Sequence, residues 1–400
     1  MPERIHDVPL ESLVSEKISY GVVQPGTLEV DGVPIVRVKD VRGGKIDTSD
    51  PLVVSRDVEE KYARTRLRGG EVLLTLVGSV GEVAVASEEI CGWNVARAIA
   101  VVRPSSEVTA QWLRLILSSD PAQQYFHDRL NTTVQATLNL KDVRTLPVPM
   151  PPRRERDAVC AVVGALDDKI AVNERIAATY EQLLQCRFAE LGLGDEPDGE
   201  SEIPITDLIA FGPKLGKPAA AEPVYVDMAA LQTNRAGIPS WTRREPKSGP
   251  RFVNGDTLMA RITPCLENGK TGYVDFMEDG EIGLGSTEFI VLRSLPGVPS
   301  ELSYFLARDS RFREHAIRNM VGSSGRQRVS AADASNYSVR SPDAEQLAAF
   351  GRESSAAFSH MKSLESESRT LAALRDTLLP QLMSGRLRVK DAEKIVEDHV

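Results

Sequence analysis

No run of apolar residues in this chain approaches the roughly 18 that a membrane-spanning helix needs, so a bilayer-embedded protein is not expected. The first residues, Met1-Pro2-Glu3-Arg4-Ile5-His6-Asp7, offer neither a basic opening nor an apolar core, which argues against export and for a cytoplasmic protein. Cysteine is scarce: Cys91, Cys160, Cys186 and Cys265 lie far apart and form no C-x-x-C pair. That spacing suits neither a disulfide framework nor a zinc site, and we expect buried thiols in a reducing compartment. Histidine is scarce too, and His6, His127, His315, His360 and His399 have no metal-ligand spacing. Excess positive charge is also missing. A formal net charge of −9 argues against a protein that coats nucleic acid through a general basic field.

Catalytic signatures are absent as well. Gly269-Lys270-Thr271 has the end of a phosphate loop, but Pro264 stands where the loop's first glycine belongs, so the backbone nest is not formed. The turn Gly78-Ser79-Val80-Gly81 lacks the G-x-S-x-G frame of a nucleophile elbow. There is no Asn-Pro-Pro-aromatic segment of the kind amino-methyltransferases carry. Acidic residues are plentiful, yet none cluster like a two-metal nuclease site.

What the chain does contain is a long internal repeat. Four hundred residues exceed one hydrophobic core, so two or more domains are required. Val8-Pro9-Leu10-Glu11-Ser12-Leu13 returns as Ile203-Pro204-Ile205-Thr206-Asp207-Leu208, and Gly70-Glu71-Val72-Leu73-Leu74 as Gly255-Asp256-Thr257-Leu258-Met259. Ala100-Val101-Val102-Arg103 matches Ile290-Val291-Leu292-Arg293, Asn131-Thr132-Thr133-Val134-Gln135 matches Gly322-Ser323-Ser324-Gly325-Arg326, and Asp142 matches Asp333. The offset drifts from 195 to 185 to 191, as loop insertions and deletions would make it. Short β-rich runs, frequent Gly and Pro, and a helix near residues 109–117 make each lobe an α+β domain.

A long helix should follow each lobe. The extended run Pro147-Val148-Pro149-Met150-Pro151-Pro152 leads into the first, whose seam is Val159, Val163, Leu166, Ile170, Asn173, Ala177, Tyr180, Leu184, Arg187 and Leu191. These alternate by four and three, the coiled-coil period. The second is entered by Ser341-Pro342, read as a cap and first-turn proline. Its seam is Leu347, Phe350, Ser354, Ala357, Met361, Leu364, Ser368, Leu371, Arg375 and Leu378, with Pro380 expected to stop it. Two such helices in one chain should pack antiparallel, making a pseudo-twofold repeat in which a coiled-coil spacer, about 55 Å long at 1.5 Å per residue, holds two lobes apart. Asn173 either sets register as a buried polar residue or lies at a frayed edge of the seam. The expected boundaries are 1–150 for the first lobe, 151–193 for its helix, 194–340 for a linker and the second lobe, 341–384 for the second helix, and 385–400 for a tail. Net charge over residues 1–150, 151–203, 204–340 and 341–400 is −3, −6, +2 and −2, so the acidity sits mainly in the first helix and linker. The lobes remain near neutral and can carry local basic patches.

Tandem β-rich lobes, each followed by a long helix, resemble the specificity subunits of type I restriction-modification systems. Leu146-Pro147-Val148-Pro149-Met150-Pro151-Pro152 with Glu155, then Ala165-Leu166-Asp167-Asp168-Lys169-Ile170 and Asn173, looks like that family's first conserved helix. Leu378-Leu379-Pro380-Gln381-Leu382-Met383-Ser384-Gly385-Arg386-Leu387 resembles the end of its second. The likeness spans nearly the whole chain. Arg156 stands where the family usually has Gln, and Ser341-Pro342 replaces a Pro pair, while Glu345-Gln346 is kept. The resemblance implies that each lobe is a target-recognition domain reading half of an asymmetric, bipartite double-stranded DNA target. It implies helices that set the gap and dock two methyltransferase subunits, with motor-nuclease subunits joining for restriction. It implies no catalysis and no cofactor on this chain, with S-adenosylmethionine, ATP and Mg on the partners.

Contacts to DNA call for Arg and Lys on loops, and for Arg, Lys, Asn and Gln with bidentate reach. In the first lobe the candidates are Lys39, Arg42 and Lys45 around Gly43-Gly44, then Arg64, Arg66 and Arg68, then Asn94, Arg97, Thr132, Thr133 and Gln135. In the second they are Ser323, Ser324, Arg326, Gln327 and Arg328 on a Gly/Ser-flanked basic loop, with Arg243, Arg244, Arg261 and Lys270. Trp93, Trp112 and Trp241 read as core or groove wall. Two other functions fit parts of the sequence: a protein-binding coiled-coil scaffold indifferent to DNA, which the acidic balance favours, and a free-standing restriction enzyme, which the missing motifs oppose.

Overall fold

In both lobes a glycine turns the chain into a strand that is buried along its whole length. Gly70 (φ 82°) precedes Val72–Thr75 and Gly255 (φ 88°) precedes Thr257–Ala260, a conformation in which a Cβ would be strained. The acidic residue after each glycine is buried. Asp256 accepts the Val253 amide at 2.8 Å and two hydrogen bonds from Arg293, each at 2.6 Å. Glu71 accepts the Arg68 amide at 2.8 Å and lies 3.4 Å from Arg103. The carboxylate thus satisfies the turn, and an arginine on the neighbouring strand (Arg293) or just past its end (Arg103) faces its charge, by two hydrogen bonds in the second lobe and by proximity alone in the first.

The structure, a computed structural model, describes residues 6–24, 31–131, 136–195, 202–246, 248–323, 325–383 and 385–397. In the first lobe Ser19–Tyr20, Ile99–Val102, Val72–Thr75 and Val83–Val85 form an antiparallel sheet in that order. A second sheet orders Leu52–Val54, Val33–Val36 and Asn94–Val95, the last pair parallel. The second lobe repeats the plan: Ile209–Phe211, Phe289–Ser294, Thr257–Ala260 and Thr271–Tyr273 in one sheet, and Thr242–Arg243, Val224–Val226, Gly283–Gly285 and Arg251–Phe252 in the other. Again the second sheet holds one parallel pair, Val224–Val226 with Gly283–Gly285. A two-stranded ribbon brings the start of each lobe beside its end, His6–Pro9 against Pro147–Met150 and Glu202–Pro204 against Ser338–Arg340. The prolines are tolerated because these strands are edges. Helix pairs cover the main sheets: Ala110–Ser118 with Asp120–His127, and Leu302–Arg308 with Ser310–Arg318.

The long helices run Arg153–Glu190 and Ala344–Met383. The second departs from expectation at both ends. Its cap is Asp343, whose Oδ1 accepts the amides of Glu345 (2.9 Å) and Gln346 (3.0 Å), and Ser341-Pro342 lies outside. Pro380 does not stop it. The helix continues to Met383, because a proline near the end forfeits one backbone bond while Leu378 and Leu382 keep the last turns buried. The expected tail contains a further helix, Val389–Glu397, with Ala392 fully buried. Two of the cysteines expected to be buried, Cys91 and Cys186, are exposed, and Cys160 and Cys265 are half-buried. No helix among the described residues is long and apolar enough to cross a membrane.

The chain divides into two compact units, one of residues 1–168 with 371–400 and one of residues 169–370, so both long helices contribute to each. In the first unit, Val159 and Val163 share a core with Leu378 and Leu382. In the second, Leu184 and Phe188 pack with Phe350, Ala357 and Met361. Here Asn173 meets Glu367 (2.7 Å), Tyr180 meets His360 (3.1 Å) and Arg187 meets Glu353 (3.3 Å), so partners descend as residue numbers rise and the helices are antiparallel. Asn173 is buried in the seam, not frayed, and its amide also reaches Ser368 at 3.3 Å.

Asp256→Asn should destabilise the chain by about 3 kcal/mol, because Arg293 loses its counter-charge beside a buried turn. Asp256→Asn combined with Arg293→Met should cost less than the single change. Chemical denaturation of both variants checks this, and equal losses would show that the ion pair is not what holds the turn.

Candidate nucleic-acid interface

In the second lobe the chain leaving Thr257–Ala260 is flanked by a hairpin, residues 321–328. Val321 and Arg328 exchange both backbone hydrogen bonds at 2.9 Å, and Thr263 pairs with Gln327 through its amide and its hydroxyl, each at 3.1 Å. Gly322 (φ 131°) and Gly325 (φ 76°) allow the reversal. Ser323 and Arg326 are exposed at its tip, and the Arg326 guanidinium has no partner among the described residues; Ser324 lies outside them. Gln327 is half-buried. Arg328 forks onto Glu288, at 2.7 and 2.8 Å, and these hydrogen bonds hold the Glu288 carboxyl below its usual range despite partial burial. Arg261 borders the same edge, with its Nε buried and unpartnered among the described residues. Lys270 donates to the Met228 carbonyl at 2.9 Å. Arg243 and Arg244 sit apart, at the end of the strand Thr242–Arg243 and just past it: the first pairs with Glu281 at 2.7 Å, and the second lies 3.2 Å over the Tyr225 ring.

The first lobe has the same frame. Asn131 and Thr137 exchange backbone bonds at 3.0 Å, and Val77 bridges Thr137 as Ile262 bridges Arg328. The amide of Leu76 meets the Ala98 carbonyl at 2.7 Å, as that of Arg261 meets Glu288 at 3.0 Å. Where the second lobe has Arg328 and Glu288, the first therefore has Thr137 and Ala98. The tip residues Thr132, Thr133 and Gln135 lie outside the described residues. Arg97, beside Ala98, is exposed without a side-chain partner among the described residues.

A second basic feature of this lobe is the hairpin of Val41–Arg42 and Lys45–Ile46, whose Gly43 (φ 56°) and Gly44 (φ 79°) form the tight turn that a two-residue connection requires. Glu82 accepts the Gly43 amide at 3.0 Å. Arg42 and Lys45 project as neighbours and are exposed, while Lys39 approaches Asp50 at 3.5 Å. The third group is largely committed elsewhere. Arg66 grips Glu59 and Glu60, Arg68 pairs with Glu16 at 2.6 Å, and Arg64 alone of the three has no side-chain partner among the described residues. Burial pushes the Glu59 carboxyl up, but hydrogen bonds from Arg66 and Asn94 outweigh it and hold it below its usual range.

Asn94 is not available as a reading residue. It is fully buried, donating to Glu59 (2.9 Å) and the Tyr62 carbonyl (3.1 Å) and accepting from Thr65 (2.8 Å) and the Val95 amide (2.8 Å). Its carboxylate partner had no local signature, since Glu59 lies 35 positions away in sequence. Glu288 escaped notice for the same reason. Trp112 is core, its indole N–H donating to the Pro149 carbonyl at 3.2 Å, whereas Trp241 stacks on Phe276 at 4.1 Å and is partly exposed. Among the described residues no group of three or more His, Cys, Asp or Glu is placed to hold a metal.

A model of the type I restriction modification DNA specificity domain matches residues 23–182. Over 169 residues the chain is 30% identical to the type I restriction enzyme EcoBI specificity subunit of Escherichia coli, covering 42% of this chain and 35% of that protein. It is 27% identical over 212 residues to the EcoEI specificity subunit of the same organism, covering 50% of this chain and again 35% of the relative. The matches thus span about a third of the length of these relatives. The fold is similar to the crystal structure of the S subunit of a type-I restriction-modification system from M. genitalium, with a TM-score of 0.56 over 95% of this chain and 96% of that one. At 13% identity that likeness is one of fold.

Structural and available side chains should separate in a melting experiment. Asn94→Ala leaves Glu59 and Thr65 short of partners and should cost about 2–3 kcal/mol, while Arg326→Ala should stay within about 0.5 kcal/mol of the parent. Because the Glu59 and Glu288 carboxyls are held below their ordinary 4.5, the stability they contribute is present above that value and lost as pH falls through their lowered values. Glu288→Gln should accordingly flatten the acid limb of the melting profile.

Proposed function

We infer that this chain belongs to the type I restriction-modification specificity family, and on that premise that it reads DNA sequence while partner subunits methylate and cut. The observation that carries the reading is the repeated hairpin frame with different side chains on it, Arg328–Glu288 in one lobe and Thr137–Ala98 in the other. One backbone design presenting two chemistries suits an asymmetric bipartite target, each lobe reading one half of a double-stranded site. Exposed arginines without side-chain partners among the described residues, Arg42, Arg64, Arg97 and Arg326, are placed to meet phosphates or base edges. The long helices set the gap and dock two methyltransferase subunits, which bring S-adenosylmethionine; motor-nuclease subunits bring ATP and Mg. The chain works in the cytoplasm and supplies no catalytic residue.

A protein-binding scaffold is the second reading. It is favoured by the net charge of −9 and by the pairing of Arg66, Arg68, Arg243 and Arg328 with acids, which takes those four from the candidate DNA contacts.

The deciding experiment is co-purification with a type I methyltransferase subunit, followed by mapping of methylated adenines in DNA from cells carrying both. A split motif with a fixed gap is expected, and exchanging residues 204–340 for those of a relative should change one half only. Arg326→Ala should weaken binding across sequences and reduce the salt slope by about 1. Stable association without methylation or sequence-dependent binding would favour the scaffold.

A further inference from the structure

One carboxylate joins the first lobe to both long helices. Asp167, on the first long helix, accepts a hydrogen bond from Arg114 at 2.7 Å and another from Arg375 at 2.9 Å. Arg114 belongs to the lobe helix Ala110–Ser118, and Arg375 to the returning long helix. All three are largely shielded, with side chains 22%, 22% and 32% exposed for Asp167, Arg114 and Arg375. Arg375 is itself held by Asp376 at 2.8 Å. An isolated surface ion pair contributes little, but a carboxylate shared by two guanidinium groups from different elements constrains direction as well as distance.

The other terminal nitrogen of Arg114 points to the basic hairpin. Gly44 has no side chain, but a Cβ there would lie 3.5 Å from Nη1 of Arg114, so the guanidinium lies beside the turn that presents Arg42 and Lys45, whose Gly43 amide is held by Glu82 at 3.0 Å. From hairpin to helix pair the order of neighbours is Gly44, Arg114, Asp167, Arg375, the last three joined by hydrogen bonds. The second lobe meets its helices through aromatic rings, Phe358 packing edge-on against Tyr304 and Phe305 at 5.8 and 5.9 Å, and through Glu181 of the first long helix, which accepts the Tyr304 hydroxyl at 2.9 Å and the Ala236 amide at 2.6 Å.

We propose that Asp167 is a positioning residue that fixes the angle of the first lobe's basic hairpin on the helix pair, and so sets which gap between half-sites is accepted. It touches no base. The inference rests on the reading of this chain as one that recognises a split target. Changing a gap by one base pair moves a half-site by about 3.4 Å along the duplex and by about a tenth of a turn around it. A hairpin locked in angle cannot follow that displacement, whereas one released from Asp167 can.

The test uses the full chain with its methyltransferase subunits and a library of targets whose half-sites are separated by the native gap or by one base pair more or less. Asp167→Asn and Arg114→Met should lower discrimination between native and altered gaps about tenfold, the scale of losing one charge-assisted hydrogen bond. The preferred bases in each half-site should not change. Asp167→Glu should restore part of the discrimination, and Asp168→Asn, at the exposed neighbouring position, should leave it intact. Arg114→Met keeps the Asp167–Arg375 pair, so it serves if Asp167→Asn fails to fold. Unchanged gap discrimination in a properly assembled Asp167→Asn or Arg114→Met complex would overturn the proposal. So would a change in the bases read at the first half-site, because Asp167 would then act in reading. A second readout needs no DNA: amide exchange at residues 41–46 of the free chain should quicken about tenfold in both variants and not in Asp168→Asn. Unaltered exchange overturns the positioning claim by itself, whereas a wild-type complex that methylates no split target overturns the recognition reading instead.

Discussion

A helix of about forty residues with an apolar seam gains little from its own hydrogen bonds in water; most of its stability comes from covering that seam. In this chain each long helix is the other's cover. The pairing is antiparallel, and its polar members, Asn173 with Glu367 and Ser368 and Arg187 with Glu353, restrict the register that the apolar positions alone would leave free. Each compact unit takes a share of both helices, so neither lobe's core is complete without a segment distant in sequence.

Onto that frame the chain builds one lobe design twice. What is repeated is the interior: the glycine turn, the buried acid after it, and the arginine on the adjacent strand or just past its end that faces it. A buried carboxylate without a partner is costly, so acid and arginine must be kept or lost together. What differs is the edge, where the base of a hairpin and the segment beside it carry Arg328 and Glu288 in one lobe and Thr137 and Ala98 in the other.

The repeat, the α+β lobes and the helical seams were legible in the sequence because each rests on local periodicity or on matched short motifs. Ends and caps were less so. Asp343 outcompetes Ser341 as a cap, and Pro380 is absorbed because the packing of Leu378 and Leu382 outweighs one missing backbone bond. The candidate interface was legible by residue type but not by role. Arg66, Arg68 and Arg328 look identical in sequence to Arg42, Arg97 and Arg326, yet the first three are engaged by Glu59, Glu16 and Glu288. Asn94 looked like a base reader and is a buried strut.

The sequence by itself determined the duplication, the fold class and the helices, since these follow from short-range order: turn glycines, alternation in strands, and the four-three spacing of a seam. Tertiary structure alone decided which arginines stay free and which carboxylates hold the others. That choice depends on partners up to 208 positions apart, as with Asp167 and Arg375. An ion pair acts over a few ångströms and leaves no periodic trace in the chain, so its partners meet only once the fold has brought them together.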